Sequence, residues 1–218
     1  MQASALRSLA AIVALYLSFS ASGADEVGAT VAKPQVKVGD RWTYRRTDYL
    51  TNKVSFTYEN RVASTGPDEI LIVSKRRGWE IETDTYHTSE WNAIAAGGRA
   101  FIPHTGYFKF PLKVGASSKA EFETANKGSP ARSNVEYAIR VVGWEDITVP
   151  AGKFRALKIE GKGGYMLLHS RGGGWLQIEF WYVPEIKRWV KETYAEGAGQ
   201  VTLPSITYGD ELLEFSVQ

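Results

Sequence analysis

The chain has no cysteine and only three histidines, His87, His104 and His169. Without cysteine there can be no disulfide, no thiolate zinc site and no lipid attached to an N-terminal cysteine. The histidines share no i, i+2 or i, i+4 spacing, so no metal-ligand pattern falls on them. A large excess of one charge is missing too: 26 Lys and Arg face 24 Asp and Glu, a formal net charge of +2. A nucleic-acid binder carries a basic stripe. Here the densest basic run is Lys75-Arg76-Arg77, beside Gly78, and it reads as a solvated hairpin tip, so no nucleic-acid partner is expected. Phosphate loops are also lacking. The runs Gly161-Lys162-Gly163-Gly164 and Gly172-Gly173-Gly174 do not end in Gly-Lys-Ser/Thr and are expected to be turn glycines. No Gly-x-Ser-x-Gly elbow occurs, and no nucleophile, base and orienter can be assembled from the motifs. The expectation is a protein that is not an enzyme, with no metal and no cofactor.

One apolar run stands out, from Leu9 to Leu17. It follows Arg7 and leads, past Phe19, into the small residues Ser20–Ala24. That is the plan of a cleavable signal peptide, and the run is too short for the ~20 residues of a membrane span. Residues 1–24 are therefore expected to be a signal peptide, 25–33 a flexible lead-in and 34–218 a single β-rich domain. The location expected is the periplasm, or secretion, with no stable membrane insertion after cleavage. Loss of Arg7 takes the net charge from +2 to about +1. A mature chain of this size can hold itself together by its core alone.

The rest reads as strands. Trp42, Tyr44 and Arg46 alternate with Thr43, Arg45 and Thr47; Val54, Phe56, Tyr58 and Val62 alternate with Ser55, Thr57, Glu59 and Arg61. Such period-two patterning marks half-buried strands. Turns fall at Leu50–Lys53 and Thr65–Asp68. A return strand is expected from Trp79 to His87, and 91–106 is irregular, suiting a short helix or a loop. Glu80, Glu82 and Asp84 would share a strand face, either holding a cation or, five times more readily, answering Lys75–Arg77 across a hairpin. Further strands fit Ala120–Thr124, Asn134–Val142, Lys153–Glu160, Tyr165–Ser170, Trp175–Val183, Arg188–Tyr194 and Asp210–Val217. The fold class expected is all-β, or β with one short helix: a strongly curved antiparallel meander, half-barrel or barrel-like.

Four segments together carry a resemblance. Gly39-Asp40-Arg41-Trp42-Thr43-Tyr44, Phe110–Gly115, Val149-Pro150-Ala151-Gly152-Lys153-Phe154 and Trp181–Val190 resemble a family of exported bacterial proteins of unknown function. The pattern is G-D-x-W-x-Y, P-L-x-V-G, V-P-A-G-x-F and W-Y-x-P-E; Ala116–Lys119 departs from it where a tryptophan would be expected. The resemblance implies a sheet similar to the curved half-barrels of the lipoprotein-localisation carriers, which cradle acyl chains on the concave face. It implies no catalytic residue.

The aromatics offer the clearest candidate surface. In Trp175–Tyr182 one face holds Leu176, Ile178, Phe180 and Tyr182 and reads as core; the other mixes Trp175, Gln177, Glu179 and Trp181. That mixed face, with Trp42 and Tyr44, is the ligand-binding set the sequence points to. The leading expectation is a non-catalytic module that binds an apolar small molecule or docks on an envelope protein. The alternative is a structural or assembly protein whose aromatics only fill its core, and a hydrolase-like enzyme comes third. Oligomeric state stays open.

Overall fold

A computed structural model describes residues 30–218. The expected signal peptide, residues 1–24, lies outside them, as does most of the lead-in. Strand makes up 66% of the described chain. In chain order the strands are β1 (Thr30–Val31), β2 (Arg41–Asp48), β3 (Lys53–Thr65), β4 (Glu69–Arg76) and β5 (Glu82–Thr88). Next come β6 (Ala93–Ala96), β7 (Arg99–Ile102), β8 (Leu112–Lys113), β9 (Ser117–Asn126) and β10 (Arg132–Val149). The chain closes with β11 (Gly152–Leu167), β12 (Gly173–Val183), β13 (Arg188–Ala198) and β14 (Ile206–Ser216), and a single 3-10 turn, Pro184–Ile186, separates β12 from β13.

Twelve of these strands form one closed antiparallel barrel. Neighbours in sequence pair, with two exceptions that complete the ring. β7 pairs with β9, passing over β8, and β14 pairs with β2 from Tyr208↔Asp48 to Ser216↔Arg41. The sheet is thus curved and antiparallel as expected, and of the open and closed forms it takes the closed one. Closure removes the free edges that would otherwise invite pairing with other chains. β1 and β8 make a separate two-stranded sheet through Val31↔Leu112, so the lead-in ends in a short strand. The irregular 91–106 segment holds the hairpin β6–β7, turned by Gly97 and Gly98.

Because each strand reverses the one before, the connections alternate between two ends. One end carries turns 49–52, 77–81, 97–98, 127–131, 168–172 and 199–205. The opposite end carries 66–68, 89–92, 103–116, 150–151 and 184–187. This second end is plugged. Trp42, Trp91, Phe108, Ile186 and Leu112 are all buried there. The Asn92 side chain holds the plug by bonding both ways to the Phe108 backbone, Nδ2 donating to the carbonyl at 2.7 Å and Oδ1 accepting from the amide at 2.8 Å. Trp91 takes a left-handed backbone (φ 67°) and donates its indole N–H to the Lys187 carbonyl at 2.7 Å. Lys187 also reaches Asp40 at 2.9 Å, and Asp40 accepts the amides of Lys37 and Gln218, so the segment before β2 and the residue after β14 are tied to this end.

The glycine run in β11 is not a turn. Gly161, Gly163 and Gly164 lie inside the strand, where backbones approach closely. A Cβ on Gly163 would fall 1.8 Å from the Glu136 carbonyl oxygen, and one on Gly161 would fall 2.9 Å from the Ile139 side chain. Gly173 and Gly174 open β12 for the same reason: a Cβ on Gly174 would sit 1.9 Å from the Gly197 oxygen. Only Gly172 of that run stays in a connection.

Candidate functional site

The plugged barrel encloses a cavity of about 790 Å³. The inward faces of the strands form its wall: Leu176, Ile178 and Phe180 from β12, Phe122 from β9, Val135 and Tyr137 from β10, and Phe56 and Tyr58 from β3. The cavity reaches the unplugged end, where the rim carries Trp79 and Ile81, both more than half exposed. Arg76 lies there too, its guanidinium 3.9 Å from the Phe56 ring centre and 5.1 Å from that of Trp79. This volume and apolar wall fall in the range of small-molecule sites.

A polar belt crosses the wall halfway down. Arg46 Nε donates to Asp210 Oδ1 at 2.9 Å, and its Nη2 pairs with Asp210 Oδ2. Tyr58 donates its hydroxyl to the same carboxylate at 2.9 Å, and the Arg46 guanidinium lies 3.8 Å from the Tyr208 ring centre. Asp210 is fully buried, so this pair is committed to itself and stitches β14 to β2 at the barrel seam. Glu192, one register step away on β13, also faces the cavity. Burial first, and then the Asp210 charge, push its carboxyl up to about 7, against the pull of Arg46 and Arg188.

At the floor lies Arg188, 3% exposed. Its guanidinium packs on three indoles, 4.4 Å from Trp189, 4.5 Å from Trp91 and 5.1 Å from Trp42. Among the described residues no carboxylate forms an ion pair with it, and its Nε and Nη1 have no hydrogen-bond partner. His87 stands beside it, 5.6 Å from the Trp91 ring, with Nδ1 likewise unpartnered. Burial, and then the Arg188 charge, hold His87 down to about 3, so it is neutral.

The sequence-derived site residues divide between two places. Trp42 and Tyr44 are buried at the floor, with Trp42 Nε1 donating to the Ile186 carbonyl at 2.9 Å and the Tyr44 hydroxyl to that of Trp189 at 2.7 Å. Trp175, Gln177, Glu179 and Trp181 stand on the outer wall. Trp175 Nε1 donates to the Val201 carbonyl at 2.6 Å and Trp181 Nε1 to Glu145 at 2.9 Å. Lys158 bridges Glu160 at 3.0 Å and Glu179 at 3.1 Å. Gln177 and Glu179 border a shallow outer cleft of about 260 Å³. The face read as core, Leu176, Ile178 and Phe180, is the one that lines the cavity. Arg188, Glu192 and Asp210 did not stand out as a site in the sequence.

Of the carboxylates read as a possible cation face, Glu82 pairs in register with Lys75, and Glu82 and Asp84 are exposed. Among the described residues no group of three or more His, Asp and Glu side chains converges as metal ligands would. His104 lies in the plug and His169 in the β11–β12 turn.

Fold and cavity define a class: a closed, plugged β-barrel with a chamber open toward one end. No family model matches the chain, and no curated protein matches it. Two solved structures share the fold. One is a protein from Parabacteroides distasonis assigned as a lipoprotein, at TM-score 0.53 and 12% identity; the other, from Bacteroides fragilis, is assigned as an exported protein with a YmcC-like fold, at TM-score 0.52 and 14% identity. Each alignment covers 86% of this chain and all of the other. At these identities the likeness is one of fold.

Proposed function

We propose that the protein is an exported, non-catalytic binding module that holds an apolar molecule inside its barrel. The observation that carries this reading is the 790 Å³ chamber walled by Phe, Tyr, Leu and Ile side chains and rimmed by the exposed Trp79 and Ile81. A protein that used its aromatics only as filler would pack them to the density of an ordinary interior, with few voids larger than a water molecule. The plug supports the reading as well. Asn92, Trp91 and Phe108 fix the floor, so the chamber is preformed, and preformed sites lose less ordering entropy on binding. The assignment of one fold neighbour as a lipoprotein and of the other as an exported protein agrees with the leader-like N-terminus.

The outer face of Trp175, Gln177, Glu179 and Trp181 fits this reading less well, because its indole N–H groups and Glu179 are spent on bonds within the chain. We therefore assign the ligand to the inner wall. The test is a fluorescence titration with the uncharged probe N-phenyl-1-naphthylamine. Saturable binding of one probe per chain, with energy transfer from the tryptophans at the floor, is the expected result. Absence of saturable binding to the folded chain would overturn the proposal.

A further inference from the structure

The floor of the chamber is chemically unlike its wall. An apolar ligand needs nothing there but surface, yet Arg188 places a full positive charge at that point, 97% removed from solvent. A buried charge is costly unless it is paired and hydrogen-bonded. The Arg46 charge is answered by Asp210. No carboxylate answers Arg188; three indole faces and the Tyr44 hydroxyl do, and Nε and Nη1 stay without a hydrogen-bond partner. His87, a second cavity-lining group at the same floor, also has a ring nitrogen without a partner. Unpartnered buried nitrogens on two side chains at one spot call for an explanation. Glu192 and Asp210 do not supply it, since Asp210 is taken by Arg46 and Tyr58 and Glu192 forms no ion pair with Arg188 among the described residues.

We propose that the chamber takes an amphipathic acid: its oxyanion head lies at the floor against Arg188 and His87, and its alkyl or aromatic body runs along Phe180, Phe122 and Phe56 toward Trp79. Arg favours carboxylate and phosphate oxygens for its charge and directed N–H groups. His87, whose ring also bonds the Thr85 backbone, brings its unpartnered Nδ1 to the same floor. The ligand enters head first because the floor end is plugged and the buried Arg188 charge lies at that end, while Trp79 and Ile81 stand beside Arg76 at the rim. This rests on the reading of the barrel as a binding module and adds the class of ligand.

The experiment is calorimetric titration of the mature chain with dodecanoic acid, monododecyl phosphate and methyl dodecanoate, repeated on Arg188→Met. The expected result is that one of the two acids binds at least tenfold tighter than the ester, and that Arg188→Met removes this preference. Tighter binding of the carboxylate points to a free fatty acid as the source, and tighter binding of the phosphate to a phospholipid fragment. Equal binding of acid and ester overturns the acid head but leaves the apolar chamber standing. Preference for the acid that survives Arg188→Met overturns the anchor. No binding of any of the three overturns both readings. Should Arg188→Met fail to fold, nitrogen-15 spectra of the wild-type chain decide: saturation with the tighter acid must shift the Arg188 Nε and His87 ring signals, and unshifted signals overturn the proposal.

Discussion

His87 and Glu192 face the same chamber and titrate in opposite senses. His87 is held to about 3 in the fold, so the unfolded chain takes up its proton first, below the ordinary 6.5. The stability tied to it is complete above 6.5 and is lost as pH falls toward 3, at up to about 1.4 kcal/mol per pH unit. Glu192 is raised to about 7 from an ordinary 4.5, so its contribution is complete below 4.5 and is lost as pH rises through 7. Between 4.5 and 6.5 the two slopes offset one another. Urea midpoints measured across pH check this. Glu192→Gln should lose stability as pH falls from 6.5 to 4.5, and His87→Gln should gain it as pH falls from 7 to 4.5. Curves for both variants that run parallel to the wild type would contradict the assignment. At this scale the sequence was legible where alternation is local. Arg46 shares the phase of Trp42 and Tyr44, and it does point inward. Its partner Asp210 lies 164 residues away, and no local pattern links them. Arg188 was hidden for another reason: a bulge near Trp181/Tyr182 breaks the alternation, so Arg188, Trp189 and Val190 are buried in succession.

Strands β10 to β13 have neighbours packed closely against several of their glycines. Gly-rich stretches read as turns because most turns need Gly for its backbone freedom. Here Gly161, Gly163, Gly174 and Gly197 instead remove a side chain where a carbonyl, an indole or a core methyl already fills the space. That requirement comes from the neighbouring strand, and the strand's own sequence does not show it. Gly163→Ala should destabilise the fold by about 1–3 kcal/mol through overpacking against Glu136. Gly143→Ala, with open space around the new methyl and no positive φ, should stay within about 0.5 kcal/mol. Thermal denaturation of the two variants side by side decides; equal effects would show that close approach is not the reason for glycine. The β6–β7 hairpin was missed on similar grounds. Ala93–Ala96 is weak strand material by composition, and it is held by its pairing with β5 and, through β7, with β9.

For the whole molecule, the turn chemistry and period-two patterning carried the all-β meander, and the aromatic-rich strand faces carried the core. Whether the sheet stays open or closes depends on pairing of residues 41–48 with 206–216, a contact between the two ends of the described chain. Closure also decides which aromatic face lines the chamber. In an open half-barrel the mixed face of β12 could have lined a groove; in the closed barrel it is outer wall, and Leu176, Ile178 and Phe180 line the chamber. The central claim is that this chamber is a binding site. The most direct measurement is native mass spectrometry of the full chain expressed in a bacterium and purified without detergent. The account predicts a one-to-one adduct of an amphiphile that is released on collisional activation. The mass of the bare chain throughout, under gentle transfer, would contradict it.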